Sequence, residues 1–252
     1  MNLLLDIGNT RIKWATLAND SLEPGEPVIR ENNSFKDLVP AAWLAFEGIE
    51  RVIIASVAGA AFNKSIRTWV KRTWRVDCEF LVPSAQTCGV TNAYLQPERL
   101  GADRWAALLA ARNLYGTAAC IVDCGSAVTI DAIDAQGCHL GGLIVPGLDM
   151  MERALTTRTA GVRFENAPSG DVSLLARDTE TAVHGGALYT LVALIDRVYS
   201  DLGHELGRGA RRVITGGDAE RILPLLVNRP DYRRELVLYG LSVYARETAC
   251  VT

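Results

Sequence analysis

Two stretches decide the fold: LLLDIGNTRIKWA at Leu3–Ala15 and CIVDCGSAVTIDAI at Cys120–Ile133. Each reads as an apolar strand, an aspartate near its end, one further residue, then glycine with a small polar neighbour and a second strand. The aspartates, Asp6 and Asp123, stand 117 residues apart in a chain of 252, so the pattern restarts close to the midpoint. Working outward, Arg51–Ser56 is a short β-branched run. Phe62, Ile66, Trp69 and Val70 recur at helical spacing up to about Trp74, Cys78–Val82 is another strand, and Asp103–Leu114 is an alanine- and leucine-rich helix. After the restart, Ala118–Asp123, Ala127–Ile133 and Cys138–Val145 read as strands, with helices at Leu148–Thr157 and Thr179–Leu202. Arg212–Thr215 is a further strand, followed by helices at Ala219–Leu226 and Tyr239–Thr248. Two copies of a hairpin-plus-βα unit predict an α/β fold of two similar lobes, 1–115 and 116–252, with a central cleft between them.

Composition limits the function classes. At 49% apolar and 22% charged residues the chain can bury a substantial core. A net charge of −3 and 7% aromatics give neither the basic field nor the stacking surface expected of a nucleic-acid binder. The basic residues Lys64, Arg67, Lys71 and Arg72 lack interleaved aromatics and read as a solvated helix face. Apolar runs are broken by Asp123, Asp131 and Asp149, short of the roughly 18–20 residues a membrane span needs. Leu3–Leu5 is the only apolar patch before Asp6, which does not make a signal peptide. None of the six cysteines forms a CxxC pair. Buried thiols in a reducing compartment, hence the cytoplasm, are expected.

The two turns suggest phosphate chemistry. Gly8 and Gly125 lack a Cβ, so the backbone can bend tightly and approach a ligand. Successive amides in such a turn make an anion-binding concavity, to which Asn9, Thr10, Ser126 and Thr129 add short donors. Asp6 and Asp123 would repel bare phosphate but suit a cation that accompanies it. An ordinary hairpin turn has the same composition; it is the repetition at half-chain spacing that favours phosphate. A third feature, VITGGDA at Val213–Ala219, places Gly216-Gly217 at a strand end, where a flat base or ribose can come close. Gly101-Ala102-Asp103-Arg104 opens the alanine-rich helix. Asp103 either serves that helix terminus or orients a substrate hydroxyl, and Arg104 can bind a substrate carboxylate or neutralise developing charge. No P-loop, GxGxxG, HExxH or GxSxG occurs, and His139, His184 and His204 are scattered, as surface or structural histidines are.

In this order DIGNT at Asp6–Thr10, GADR at Gly101–Arg104, DCGSAVT at Asp123–Thr129, GGLIVPG at Gly141–Gly147 and TGGDA at Thr215–Ala219 resemble the type III pantothenate kinases across essentially the whole chain. The resemblance implies two ribonuclease-H-like lobes of the actin-like ATPase fold. It also implies an ATP-dependent kinase that phosphorylates the primary hydroxyl of pantothenate to 4′-phosphopantothenate, the first step of coenzyme A synthesis. Carried over by motif, Asp6, Ile7, Gly8, Asn9, Thr10, Arg11, Ile12 and Lys13 form the first ATP-binding segment, with Ser126 as the ATP-contacting hydroxyl where the family usually has threonine. Asp103 is the catalytic carboxylate. Tyr94, Gly101, Ala102, Asp103, Arg104 and Thr179, with Thr181 as the fallback, line the pantothenate pocket. Asp123 is the carboxylate for a monovalent cation, K+ or NH4+, and Mg2+ comes with ATP. Cys124 replaces the common alanine and alters packing only. A homodimer is implied, with no nucleic-acid or membrane partner. Two rivals remain: a phosphotransferase or phosphohydrolase of the same fold with another substrate, and a non-catalytic nucleotide-sensing regulatory protein.

Overall fold

A computed structural model describes residues 1–30, 35–159, 161–162, 175–207 and 209–249. The chain divides into two compact units. The first comprises 1–116, 135–140 and 235–252, and the second 117–134 and 141–234.

In the first unit the leucine-rich stretch is β1 (Asn2–Ile7), turning into β2 (Arg11–Ala18) and then β3 (Ser21–Pro24) and β4 (Val28–Ile29). After the short helix α1 (Ala41–Leu44) come β5 (Arg51–Ser56), α2 (Ala60–Trp74) and β6 (Cys78–Phe80). A two-residue-per-strand hairpin, β7 (Gln86–Thr87) and β8 (Val90–Thr91), precedes α3 (Ala102–Tyr115). The sheet order is β3-β2-β1-β5-β6, with β4 also on β2. β1 is antiparallel to β2 and parallel to β5. Alternation along β1 sends Leu3, Leu5 and Ile7 into a core with Ile12, Trp14, Phe35, Trp43, Ile66 and Trp69. The indoles of Trp14 and Trp43 meet edge to face at 6.0 Å, and Phe35 meets Trp69 the same way at 5.8 Å. Leu4 and Ile53, on the opposite face, are also fully buried.

The second unit repeats the plan. β9 (Ala119–Cys124), β10 (Ala127–Ile133) and β11 (His139–Pro146) are followed by α4 (Leu148–Arg158), α5 (Thr179–Glu205), β12 (Arg211–Thr215), α6 (Ala219–Ile222) and β13 (Asp231–Tyr232). The order is β11-β10-β9-β12-β13, with β9 antiparallel to β10 and parallel to β12. The five-strand order, the antiparallel hairpin and the parallel return strand are therefore the same in both units. Leu188, Leu191, Val192, Ile195 and Tyr199 of α5 close one sheet face over Cys120, Val122, Cys124, Val128 and Ile214.

The last helix, α7 (Leu236–Ala249), leaves the second unit and packs in the first. This differs from the 1–115 and 116–252 division expected from sequence, and the reason is local. Gly240 lets the α7 backbone lie against α3, where a Cβ would come 1.9 Å from the Ala106 carbonyl oxygen. Tyr239 donates to Asn113 at 2.9 Å. Arg51 of β5 holds Glu79 through two hydrogen bonds of 2.8 and 2.6 Å and also donates to the Ala245 carbonyl and the Thr248 hydroxyl. The Glu79 carboxylate raises the guanidinium pKa further. α7 also begins at Leu236, three residues before the expected Tyr239, because Leu236, Val237 and Leu238 are buried in this packing.

Of the six cysteines, Cys78, Cys120 and Cys124 are buried free thiols as expected, whereas Cys88 and Cys138 are half-buried; Cys250 lies outside the described residues. No helix among the described residues is long and apolar enough to cross a membrane. Gly240→Ala forces the α3–α7 backbones apart and is expected to lower the unfolding free energy by about 1–3 kcal/mol, read as a smaller midpoint in urea with an unchanged slope.

Candidate active site

The first hairpin turn is closed by the Gly8 amide donating to the Arg11 carbonyl at 3.0 Å, with Asp6 opposite Lys13 and Ile7 opposite Ile12 in the ladder. A Cβ on Gly8 would stand 3.3 Å from the same carbonyl oxygen, which explains the glycine. Asn9, Thr10 and Arg11 are exposed, and Asp6 and Lys13 are half-buried. Ile7 and Ile12 are 0% exposed. Of the expected ATP-binding stretch, these two offer a ligand only their backbone, and their side chains anchor the turn in the core.

In the same unit α3 opens on Gly101, which has extended backbone and no side-chain cap. Asp103, in the first turn, accepts the Arg104 amide at 2.7 Å through Oδ1. A Cβ on Gly101 would come 2.6 Å from that oxygen, so the glycine of GADR makes room for the carboxylate. Arg104 is 6% exposed and donates to the Tyr94 hydroxyl at 2.8 Å. The Tyr94 ring stacks at 6.1 Å on His139, itself 3% exposed. Asp103 and Arg104, adjacent in sequence, and Tyr94, about ten positions earlier, thus share one corner of the first unit. His139 belongs to this corner too. From sequence it reads as a surface or structural histidine, because a lone histidine in a strand carries no pattern.

The second hairpin has Asp123 opposite Thr129 and closes through the Gly125 amide on the Ala127 carbonyl at 3.2 Å. Two other glycines hold it from behind. Gly147 donates to the Ser126 carbonyl at 3.1 Å, and a Cβ there would meet the Gly125 oxygen at 2.4 Å. Gly216, at φ +100°, lies on Cys124, where a Cβ would stand 2.4 Å from the backbone, and Asp218 donates to the Cys124 carbonyl at 2.9 Å. The side-chain position of Gly216 is thus filled by protein backbone, so packing on Cys124 by itself requires this glycine. Gly217 is exposed.

Burial pushes the Cys120 thiol up to about 12 and the Cys124 thiol still further, so both stay protonated at neutral pH and serve packing. Thr179 is the exposed first residue of α5. Asp178 caps this helix by accepting the Thr181 amide at 2.8 Å, which lowers the Asp178 pKa and commits the fallback residue's backbone to the cap.

No group of three or more histidine, cysteine or acidic side chains fit to cage a metal occurs among the described residues. Single carboxylates at strand ends are instead the donor set that suits a hard cation carried largely by phosphates and water.

The fold is that of the actin-like ATPases and sugar kinases. A Baf-family transcriptional-activator structure from Campylobacter jejuni superposes with a TM-score of 0.61 at 20% identity, covering 98% of this chain and 99% of its own. A glucokinase from an Antarctic psychrotroph gives 0.51 at 11% identity over 98% of both. The match to a model of the type III pantothenate kinases over residues 2–201 narrows the class. The type III pantothenate kinase of Nitrosococcus oceani is 43% identical, covering 100% of this chain and 96% of that protein. The chain belongs to the type III pantothenate kinase family, whose members are ATP-dependent kinases.

Replacing Gly216 with alanine imposes both positive-φ strain and a backbone clash. It is expected to cost roughly 2 kcal/mol or more and to weaken nucleotide binding, while Gly217→Ala is tolerated; chemical denaturation and a nucleotide titration read the contrast.

Proposed function

We propose that this protein transfers the γ-phosphoryl group of ATP to the primary hydroxyl of pantothenate, releasing ADP and 4′-phosphopantothenate. The observation that carries the reading is the corner formed by Asp103, buried Arg104 and Tyr94. It offers a carboxylate for an alcohol and a guanidinium for a carboxylate, and pantothenate has both groups.

Asp103 orients the hydroxyl, whose oxygen attacks the γ-phosphorus as the bond to the β,γ-bridging oxygen breaks, and the hydroxyl proton passes to the carboxylate. Such a loose transition state depends on placement and charge more than on a strong base. Arg104 and the Tyr94 hydroxyl hold the acid end of the substrate, with Thr179 as a further contact. The Asn9 and Arg11 amides and the Asn9 and Thr10 side chains take phosphate oxygens, with Lys13 and Arg11 supplying positive charge nearby. Ser126 keeps the hydroxyl needed for ATP contact while losing a methyl relative to threonine.

Asp123 would hold a monovalent cation, K+ or NH4+, which together with the Mg2+ brought by ATP would offset phosphate charge. The enzyme is assigned to the cytoplasm, in keeping with its free thiols.

A homodimer completes the reading. β11 is the edge strand of its sheet and exposes Leu143 and Ile144, and α4 beyond it exposes Met150 and Leu155. An uncovered apolar strand edge of this kind favours a second copy. Sedimentation is expected to give twice the chain mass, and Leu143→Glu to shift it toward the monomer.

In a coupled assay ADP release should require pantothenate and respond to K+. ATP turnover without phosphorylation of pantothenate overturns the substrate assignment. Asp103→Asn is expected to lose at least about a hundredfold in kcat with the fold intact.

A further inference from the structure

No motif in the sequence points to Arg30, which follows β4 and precedes residues outside the description. β4 pairs with β2 at Arg11↔Ile29 and Ile12↔Val28, and this register brings Arg30 alongside the first hairpin turn. There it makes two hydrogen bonds to the turn backbone. Its Nη1 donates to the Gly8 carbonyl at 2.9 Å, and its own amide donates to the Thr10 carbonyl at 2.8 Å. The guanidinium lies over the Phe62 ring at 4.2 Å, and Phe62 is steadied edge to face by Phe35 at 5.7 Å. Among the described residues no carboxylate forms an ion pair with Arg30, so its charge is directed at the turn.

We propose that Arg30 is a positioning residue for ATP, holding the Gly8–Thr10 turn from behind so that its amides face the phosphates. The inference rests on the kinase reading above and deepens it.

The physical argument is the geometry of the peptide unit. The peptide bonds among the described residues are trans, so in each peptide the N–H points opposite to the C=O. Gly8 C=O shares a peptide with the Asn9 amide, and Thr10 C=O shares one with the Arg11 amide. Fixing those two carbonyls on Arg30 removes two partial negative charges from the ligand side and turns the Asn9 and Arg11 amides away from Arg30. A second effect is electrostatic: the hydrogen bond from the guanidinium polarises the Gly8–Asn9 peptide and strengthens the Asn9 amide as an anion donor. The stacking on Phe62 keeps the planar guanidinium in place, which an ammonium cannot reproduce.

The test uses the full-length protein, with ATP affinity measured by calorimetry and KM and kcat measured for both substrates. Arg30→Met, which keeps the stem, should raise the ATP Kd and the ATP KM about tenfold and leave the pantothenate KM within about twofold. Arg30→Lys should recover part of the loss, and Phe62→Leu, which removes the stack, should fall between wild type and Arg30→Met. An ATP Kd within twofold of wild type in Arg30→Met overturns the proposal, as does an equal rise in both KM values. If Arg30→Met does not fold, the ATP Kd of Arg30→Lys and Phe62→Leu decides in the same way. A wild type that binds ATP yet leaves pantothenate unphosphorylated refutes the substrate assignment alone, because the Kd ratio still judges Arg30.

Discussion

Each unit is built around a hairpin turn at the end of its central strand, and that turn is held by backbone packed closely against it. In the second unit the grip is steric. Gly147 and Gly216 bring two separate backbone segments against Cys124, Gly125 and Ser126, at distances that leave no room for a Cβ. In the first unit the Gly8 amide closes the turn on Arg11, while β4 lies against β2 from outside. Neither arrangement needs a special fold element at the turn itself. Each needs neighbours that approach unusually closely, and glycine is the residue that permits this.

The sheets explain how such turns end up in the right place. In both units the hairpin's first strand is central. It has its antiparallel partner on one side and a parallel strand on the other, β5 in the first unit and β12 in the second. A central strand is buried on both faces, so its end is fixed more firmly than a loop could be. Each aspartate sits one residue inside that end, half-buried where its neighbours are fully buried. Alternation places Asp6 on the same sheet face as Leu4, the face toward which α3 and α7 pack. The helix that carries Asp103 in its first turn thus packs on the sheet face to which Asp6 belongs.

The acceptor corner shows how a local motif depends on distant residues. Gly101 and Asp103 explain each other within three positions. Arg104 is buried, and its guanidinium donates to the Tyr94 hydroxyl and lies 5.7 Å from the centre of the Tyr94 ring. Tyr94 in turn leans on His139, 45 positions further along the chain. His139 reaches this corner because the segment 135–140 belongs to the first unit although its neighbours on either side do not.

What the sequence settled by itself was whatever short-range pattern encodes: the two hairpins, the long helices, the glycine at each turn and the carboxylate after Gly101. Strand alternation and helical spacing act over a few residues, so they survive without knowledge of the partners. The short strands β3, β4 and β13 carried too little pattern to be read, and β4 is the one that delivers Arg30. Tertiary structure alone decided that α7 returns to the first unit, that Gly216 packs on the Cys124 backbone, and that Tyr94, Arg104 and His139 meet. Those outcomes depend on contacts between residues tens to more than a hundred positions apart. Such contacts are set by packing in three dimensions and leave no periodic trace along the chain.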